Sequence, residues 1–220
     1  MKIHIKGGEN MTLIHYWPFE SNTKDSVGDG SDAGGSISAI AGSNARGGAC
    51  IVTFPKLDSD FTISFDIYRV GYTADWCIDF GTDDVYWGTG MSNSGYTLMY
   101  SQNYGYPNLC MQSPKIGPKT LFEDTKETIG VWYHGEIHRY ENTHLCFING
   151  ELKLEWEDAT LDYPDHCYFF NAGSYQTGGG YVKELKIYPS AFAESLGDKR
   201  LIYNHLGIAY AIPPKNNKSL

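Results

Sequence analysis

Apolar and polar residues alternate at every second position through much of the chain, the period of a strand with one face in a core and the other in water. The clearest run is Phe61–Val70, where Phe61, Ile63, Phe65 and Ile67 alternate with Thr62, Ser64, Asp66 and Tyr68. Further strands are expected at Leu13–Phe19, Ala49–Phe54, Ala74–Phe80, Tyr96–Tyr100, Thr128–Tyr140, His144–Asn149, Glu151–Glu157, His166–Ala172 and Tyr181–Tyr188. Asn149-Gly150, set between two alternating runs, is the strongest hairpin signal in the chain. Asn22–Gly48 is dense in Gly, Ser, Asp and Ala and reads as turns. Helical signal is confined to the end: Asp198 can cap Lys199–Leu206, where Leu201, Ile202, His205 and Leu206 share a stripe and Gly207 is the stop. About ten short strands, one terminal helix and no linker or repeat predict a single all-β domain. The expected architecture is a single antiparallel sandwich with a short C-terminal helix. Its boundaries are an N-terminal arm at residues 1–11, the domain at 12–208 and a tail at 209–220.

Composition sharpens this. In 220 residues there are 17 Tyr, 5 Trp, 10 Phe and 25 Gly, a mixture that favours strands joined by tight turns. With 26 acidic against 17 basic residues the net charge is -9. That excludes nucleic acid and an anionic bilayer as partners, because both are bound by neutralising phosphate with Lys and Arg. No apolar run approaches the ~20 residues of a membrane span. The opening MKIHIKGGEN lacks the continuous apolar stretch of a secretory leader, so the expected location is a cytosol or a particle assembled there. The five cysteines, Cys50, Cys77, Cys110, Cys146 and Cys167, form no CxxC pair. Their odd number predicts free thiols in a reducing compartment rather than bridges or a zinc site.

Three blocks carry a family resemblance. His15-Tyr16-Trp17-Pro18-Phe19, followed by Asp25-Ser26-Val27-Gly28, resembles the opening of a laminin-G-like, concanavalin A-like domain. Trp132-Tyr133-His134 and Phe147-Ile148-Asn149-Gly150-Glu151 resemble its tryptophan–histidine strand and its hairpin. Val182-Lys183-Glu184-Leu185-Lys186-Ile187-Tyr188 with Ala191-Phe192 resembles its closing strand. The resemblance spans roughly residues 13–206. It implies an all-β, two-sheet antiparallel jelly-roll sandwich of the concanavalin A-like, lectin type that binds glycans or proteins, and it names no single ligand, since function sits in sites grafted onto a fold.

Several constellations are candidates for chemistry. Trp87, Tyr96, Tyr104 and Tyr106, interleaved with Asn93 and Asn103, offer flat apolar faces and adaptable hydrogen bonds, which suits stacked sugar rings. Alternatively these tyrosines face the sandwich core. Trp132, His134, Glu136, His138 and Tyr140 alternate along one strand and share a face, with Val131, Tyr133 and Ile137 expected on the core side. Two histidines flanking a glutamate can hold a metal or serve as acid and base on a concave sheet, or can be an ordinary polar face. The stretch Tyr168–Gln176 is similar to the C-terminal strand of alginate-lyase-like jelly rolls, with Tyr175 in the place of the proton-transferring tyrosine. The arginine strand of those lyases has no counterpart here, and Gly135-Glu136-Ile137-His138 stands one strand too late to supply the histidine. Asp25 and Asp29, with Asp32, lie in a Gly/Ser loop that suits calcium, or serve as turn acceptors. Glu151, Lys153, Glu155 and Glu157 alternate with Leu152, Leu154 and Trp156 as a solvated face and lack the Glu-x-Asp-x-Glu pattern of glucanases sharing this fold.

The reading that follows is a non-catalytic, glycan-binding or adhesive module, displayed on a phage capsid or tail, with calcium as the one cofactor to test. Its partners would be a glycan, other virion proteins or further copies of itself. The alternatives are a polysaccharide lyase or glycoside hydrolase using the concave sheet around His134, Glu136, His138 and Tyr175, and a purely structural virion protein.

Overall fold

The structure is a computed structural model that describes residues 13–19, 24–30, 34–35, 38–39, 46–47, 50–69, 76–81, 96–101, 108–113, 116, 119–123, 130–169, 180–188, 193–196, 199–204, 206 and 208–212. Every strand pairing in it is antiparallel.

The first large sheet contains β1 (His15–Trp17), β3 (Ser38–Ala39), β4 (Arg46–Gly47), β6 (Phe61–Arg69), β11 (Trp132–Tyr140), β12 (Thr143–Ile148), β13 (Glu151–Glu157) and β15 (Gly180–Tyr188). Its order is β13-β12-β11-β6-β15-β4-β3, with β1 also paired to β15. The second contains β2 (Gly34–Gly35), β5 (Cys50–Thr53), β7 (Trp76–Gly81), β8 (Tyr96–Ser101), β9 (Asn108–Gln112), β10 (Lys119–Glu123) and β14 (His166–Phe169), in the order β10-β9-β8-β7-β14-β5-β2. The chain is a two-sheet, antiparallel jelly-roll sandwich.

Alternation builds the core. Phe61, Ile63, Phe65 and Ile67 of β6 all point inward and are buried. Phe65 meets Phe80 of the opposite sheet with ring centroids 5.7 Å apart, and Phe61 meets Tyr96 at 6.2 Å. Trp17, Tyr133, Ile137, Val182, Leu185 and Ile187 extend the same layer. Gly135 faces Phe65 across β11 and β6, and a Cβ there would stand 2.4 Å from the phenyl ring. Tyr133 and Ile137 take the core positions expected of them, whereas Val131 precedes the strand and is exposed.

A third, small sheet replaces the expected terminal helix. It is formed by β16 (Ala193–Leu196), β17 (Lys199–Tyr203) and β18 (Ala209–Ile212) in sequence order. The described residues contain no helix. Spacing at 199–206 fits a short amphipathic helix, but eight residues are too few to hold one without strong packing. Pairing on both sides of β17 satisfies its backbone instead, and Ile202 is buried against Leu145 and Phe147. The expected boundary at residue 208 therefore falls inside this sheet. β12 is buried at every position because the second core lies on its outward face, where Phe147 meets Tyr210 at 4.8 Å. Its near-continuous apolar run Leu-Cys-Phe-Ile is the pattern of a strand covered on both sides.

The β12–β13 hairpin turns at Asn149 and Gly150, with φ of 51° and 78°, the left-handed pair a two-residue turn requires. Asn204 ties the small sheet to it, donating from its amide to the Gly150 carbonyl at 2.6 Å. A Cβ on Gly150 would also stand 2.5 Å from Leu206. Gly150→Ala should lower stability by about 1–2 kcal/mol through the left-handed backbone and this contact, read as a shift of the urea midpoint at unchanged slope.

Candidate functional site

Four strands in register, β11, β6, β15 and β1, place a band of polar and aromatic side chains on the outward face of the first sheet. Trp132 pairs with Tyr68, His134 with Asp66, Glu136 with Ser64 and His138 with Thr62. On the other side of β6, Asp66 pairs with Lys183 and Ser64 with Lys186, which in turn faces Tyr16 of β1.

One half of this band is closed. Glu136 and His138 are 1% and 0% exposed. The His138 Nε2–H donates to Glu136 at 2.8 Å, Thr62 lies 3.1 Å from Nδ1, and the ring meets the edge of Phe147. Substrate cannot reach either group, so this Glu–His pair belongs to the packing between the sheet and the C-terminal strands.

The other half is open. His134 donates from Nδ1 to Asp66 at 2.6 Å, and its Nε2 lies 3.6 Å from Glu136; the His134 and Asp66 side chains are 26% and 22% exposed. Burial alone would lower the pKa of His134, but the hydrogen bond to Asp66 and the nearby Glu136 carboxylate outweigh it and hold the imidazole up at about 9. Trp132 and Tyr68 stand with ring centroids 5.2 Å apart, and the Lys183 ammonium lies 4.3 Å over the Trp132 ring.

Farther along β15 the ladder is irregular between Lys183 and Lys186, and Glu184 adopts φ of 55°. A non-glycine residue held there costs on the order of 1–3 kcal/mol and marks a place where strand geometry is bent to aim side chains. Glu184 accepts from the Tyr16 hydroxyl at 2.9 Å and from Lys186 at 2.6 Å, and the Lys186 ammonium lies 5.2 Å over the Tyr16 ring.

The remaining candidates separate. Tyr96 is fully buried; its hydroxyl lies 2.6 Å from His144 Nδ1 and its ring packs edge-on against Trp156. It is a core residue rather than part of an exposed platform, and burial pushes its hydroxyl pKa up. Trp87, Asn93, Asn103, Tyr104, Tyr106 and Tyr175 lie outside the described residues, as does Asp32. His134, Glu136 and His138 face outward from the first sheet, whereas β14 belongs to the second.

Asp25 is a structural acceptor. Its carboxylate receives backbone N–H groups from Tyr16, Val27, Gly28 and Gly30 at 2.9–3.1 Å and His15 Nδ1 at 2.6 Å. Burial would raise its pKa, but these donors hold it at about 2. Asp29 is exposed. Among the described residues no group of three or more His, Cys, Asp or Glu side chains converges as a metal site. Of the cysteines, Cys146 and Cys167 are buried free thiols. Burial and the Glu136 charge push the Cys146 thiol up to about 12.

Sequence reasoning found the histidines and Trp132 through alternation but missed Asp66, Lys183, Lys186, Glu184 and Tyr16, which join the band only through cross-strand register. No protein-family profile matches the chain, and no curated protein matches it. Solved structures do. The botulinum neurotoxin serotype D binding domain aligns at 16% identity and TM-score 0.59, over 82% of this chain and 48% of that one. The serotype D ligand-binding domain in complex with N-acetylneuraminic acid aligns at 15% and 0.58, over 82% and 48%. Domain 4 of AbnA, a GH43 extracellular arabinanase from Geobacillus stearothermophilus, in complex with arabinotriose, aligns at 17% and 0.56, over 80% and 92%.

The likeness is one of fold. The chain spans about half the length of the neurotoxin domains it matches. No helix among the described residues is long and apolar enough to cross a membrane.

Proposed function

We propose that this chain is a non-catalytic glycan-recognition module. The observation that supports it is the open half of the outward band, where Trp132 and Tyr68 stand beside Lys183, Asp66 and His134. A sugar presents an apolar ring face and a rim of hydroxyls that donate and accept at once. An aromatic pair bordered by a cation and a carboxylate answers each of those features. Two of the structural neighbours were solved with a sugar bound, which favours the same reading for this chain without locating its site. Trp87, Tyr104 and Tyr106, with Asn93 and Asn103, are proposed as a second aromatic surface of the module.

Display on a phage capsid or tail is the setting this reading favours. A net charge of -9 repels packaged DNA and suits the outside of a particle. Mass spectrometry of purified virions carrying the gene would find the protein there, and its absence from the particle would refute this placement.

Binding to a glycan microarray tests the function. Trp132→Ala should weaken the best array hit about tenfold while moving the melting temperature little, because the ring is half-exposed. Incubation with alginate and pectate should produce no unsaturated ends. Release of such ends, or an array without a hit, would overturn the proposal.

A further inference from the structure

The outward band contains the same three-part group twice. At one end are the Trp132 ring, the Lys183 ammonium above it and Asp66 opposite Lys183 in register. At the other are the Tyr16 ring, the Lys186 ammonium above it and Glu184 bonded to both. Tyr68, beside Trp132, and Ser64, in line with Lys186 and Tyr16, are four residues apart on β6. Trp132 on β11 and Tyr16 on β1 are three strand spacings apart. At ~3.3 Å per residue and ~4.8 Å per strand, the two ring-bearing residues lie roughly 20 Å apart at the backbone.

That span exceeds one pyranose ring. Each group offers the same apolar face, donor and acceptor, so a ligand using both must itself repeat. The charges also decide between ligands. Lys183, Lys186 and His134 are set against Asp66, Glu136 and Glu184, so the band has no surplus of cations to attract a polyanion, and the chain as a whole is acidic. The left-handed Glu184 supplies a separate indication. The bulge brings three charged residues, Lys183, Glu184 and Lys186, into one short stretch of strand, and such irregularities cluster at binding sites because they re-aim side chains.

We infer that the outward face of the first sheet binds the interior of a neutral oligosaccharide chain, laid diagonally across β11, β6, β15 and β1 from Trp132 to Tyr16. The inference rests on the glycan-recognition reading and gives it a site and a ligand class. The lysines cap the rings in the free protein; their long flexible stems swing aside as a sugar ring stacks and then donate to its hydroxyls.

Calorimetric titration with size-fractionated cello-, arabino- and mannuronate oligosaccharides, each from monosaccharide to hexasaccharide, tests this. One neutral series should bind at least tenfold more tightly at the hexasaccharide than at the monosaccharide. Trp132→Ala and Glu184→Gly should each reduce hexasaccharide affinity about fivefold or more. Glu184→Gly accepts the left-handed backbone without strain, so its melting temperature should stay level or rise, separating lost binding from lost folding. Equal affinity for monosaccharide and hexasaccharide would overturn the inference while leaving glycan recognition intact. So would tight binding that neither variant disturbs, or a preference for the mannuronate series. Failure of all three series on the parent protein, together with a glycan array without a hit, would remove both readings.

Discussion

Asp25→Ala is expected to cost about 3–5 kcal/mol of folding stability, the range for removing one partner of a buried charged network. The carboxylate is the shared acceptor for four backbone N–H groups and His15, and its side chain is 1% exposed. Deleting it strips the Tyr16 and Gly30 N–H groups and His15 of their shared acceptor, while the exposed Val27 and Gly28 N–H groups turn to water. A Cβ on Gly28 would stand 2.2 Å from the Ile14 carbonyl, and one on Gly30 would stand 2.4 Å from the Trp17 ring. The turn thus clamps β1 onto β15 and seats Trp17 in the core. Asp25→Asn keeps one acceptor oxygen and should lose less. The expected drop in melting temperature for Asp25→Ala is roughly 6 °C or more. Calcium or a chelator should leave the parent's melting curve in place, because both Asp25 carboxylate oxygens are already engaged by N–H donors. A calcium-dependent rise, or a silent Asp25→Ala, would return this loop to the list of cation sites. The donors also set an acid limit. With a folded pKa of about 2 against an ordinary 3.8, Asp25 contributes fully above pH 3.8 and loses that contribution as pH falls through 2.

Alternation located what depends on one strand at a time. β13 spans Glu151–Glu157 as expected, and β6 covers Phe61–Arg69 of its expected run, whose last residue, Val70, lies outside the described residues. Asn149-Gly150 forms the turn its chemistry demands. β9 and β10 escaped notice because they are five-residue strands in a stretch punctuated by Pro107, Pro114 and Pro118, with little alternation to read. The C-terminal pattern reads as a helix because Leu201, Ile202 and Leu206 fit both periods over so short a span. Only the docking of Ile202 on Leu145 and Phe147 decides between them, and that contact is long-range. The site divided in the same way. Trp132, His134, Glu136 and His138 lie on one strand and were visible together. Asp66, Lys183, Glu184 and Tyr16 come from three other strands, and the register that aligns them is a property of the assembled sheet. Tyr96 shows the converse: in sequence it belongs to a Gly- and Asn-rich aromatic stretch, yet its position on β8 directs the ring into the core.

Stability should peak near pH 6.5 and fall on both sides, because two histidines are shifted in opposite directions. His144 is buried, with Nε2–H donating to the Asp158 carbonyl at 3.0 Å and Nδ1 accepting from the Tyr96 hydroxyl at 2.6 Å. Both nitrogens are satisfied only in the neutral ring. Burial, with a smaller push from Arg139, lowers its pKa to about 4. The unfolded chain takes up a proton near pH 6.5 that the folded protein refuses, so this contribution is complete above 6.5 and is lost as pH falls toward 4. His134 runs the other way. Its carboxylate neighbours hold the folded pKa at about 9, so its contribution is complete below 6.5 and is lost as pH rises through 9. At 1.36 kcal/mol per pKa unit, each limb amounts to at most about 3 kcal/mol. Urea unfolding at pH 4, 6.5 and 9 should resolve them. His134→Gln should flatten the alkaline limb and leave the acid limb, and His144→Phe should do the reverse on a lower baseline. A stability profile rising steadily from pH 6.5 to 9 in the parent would show that Asp66 and Glu136 do not hold His134 protonated. The ion pair at the centre of the outward band would then be absent in solution, and the balance of charge that favours a neutral ligand would tip toward the acidic side.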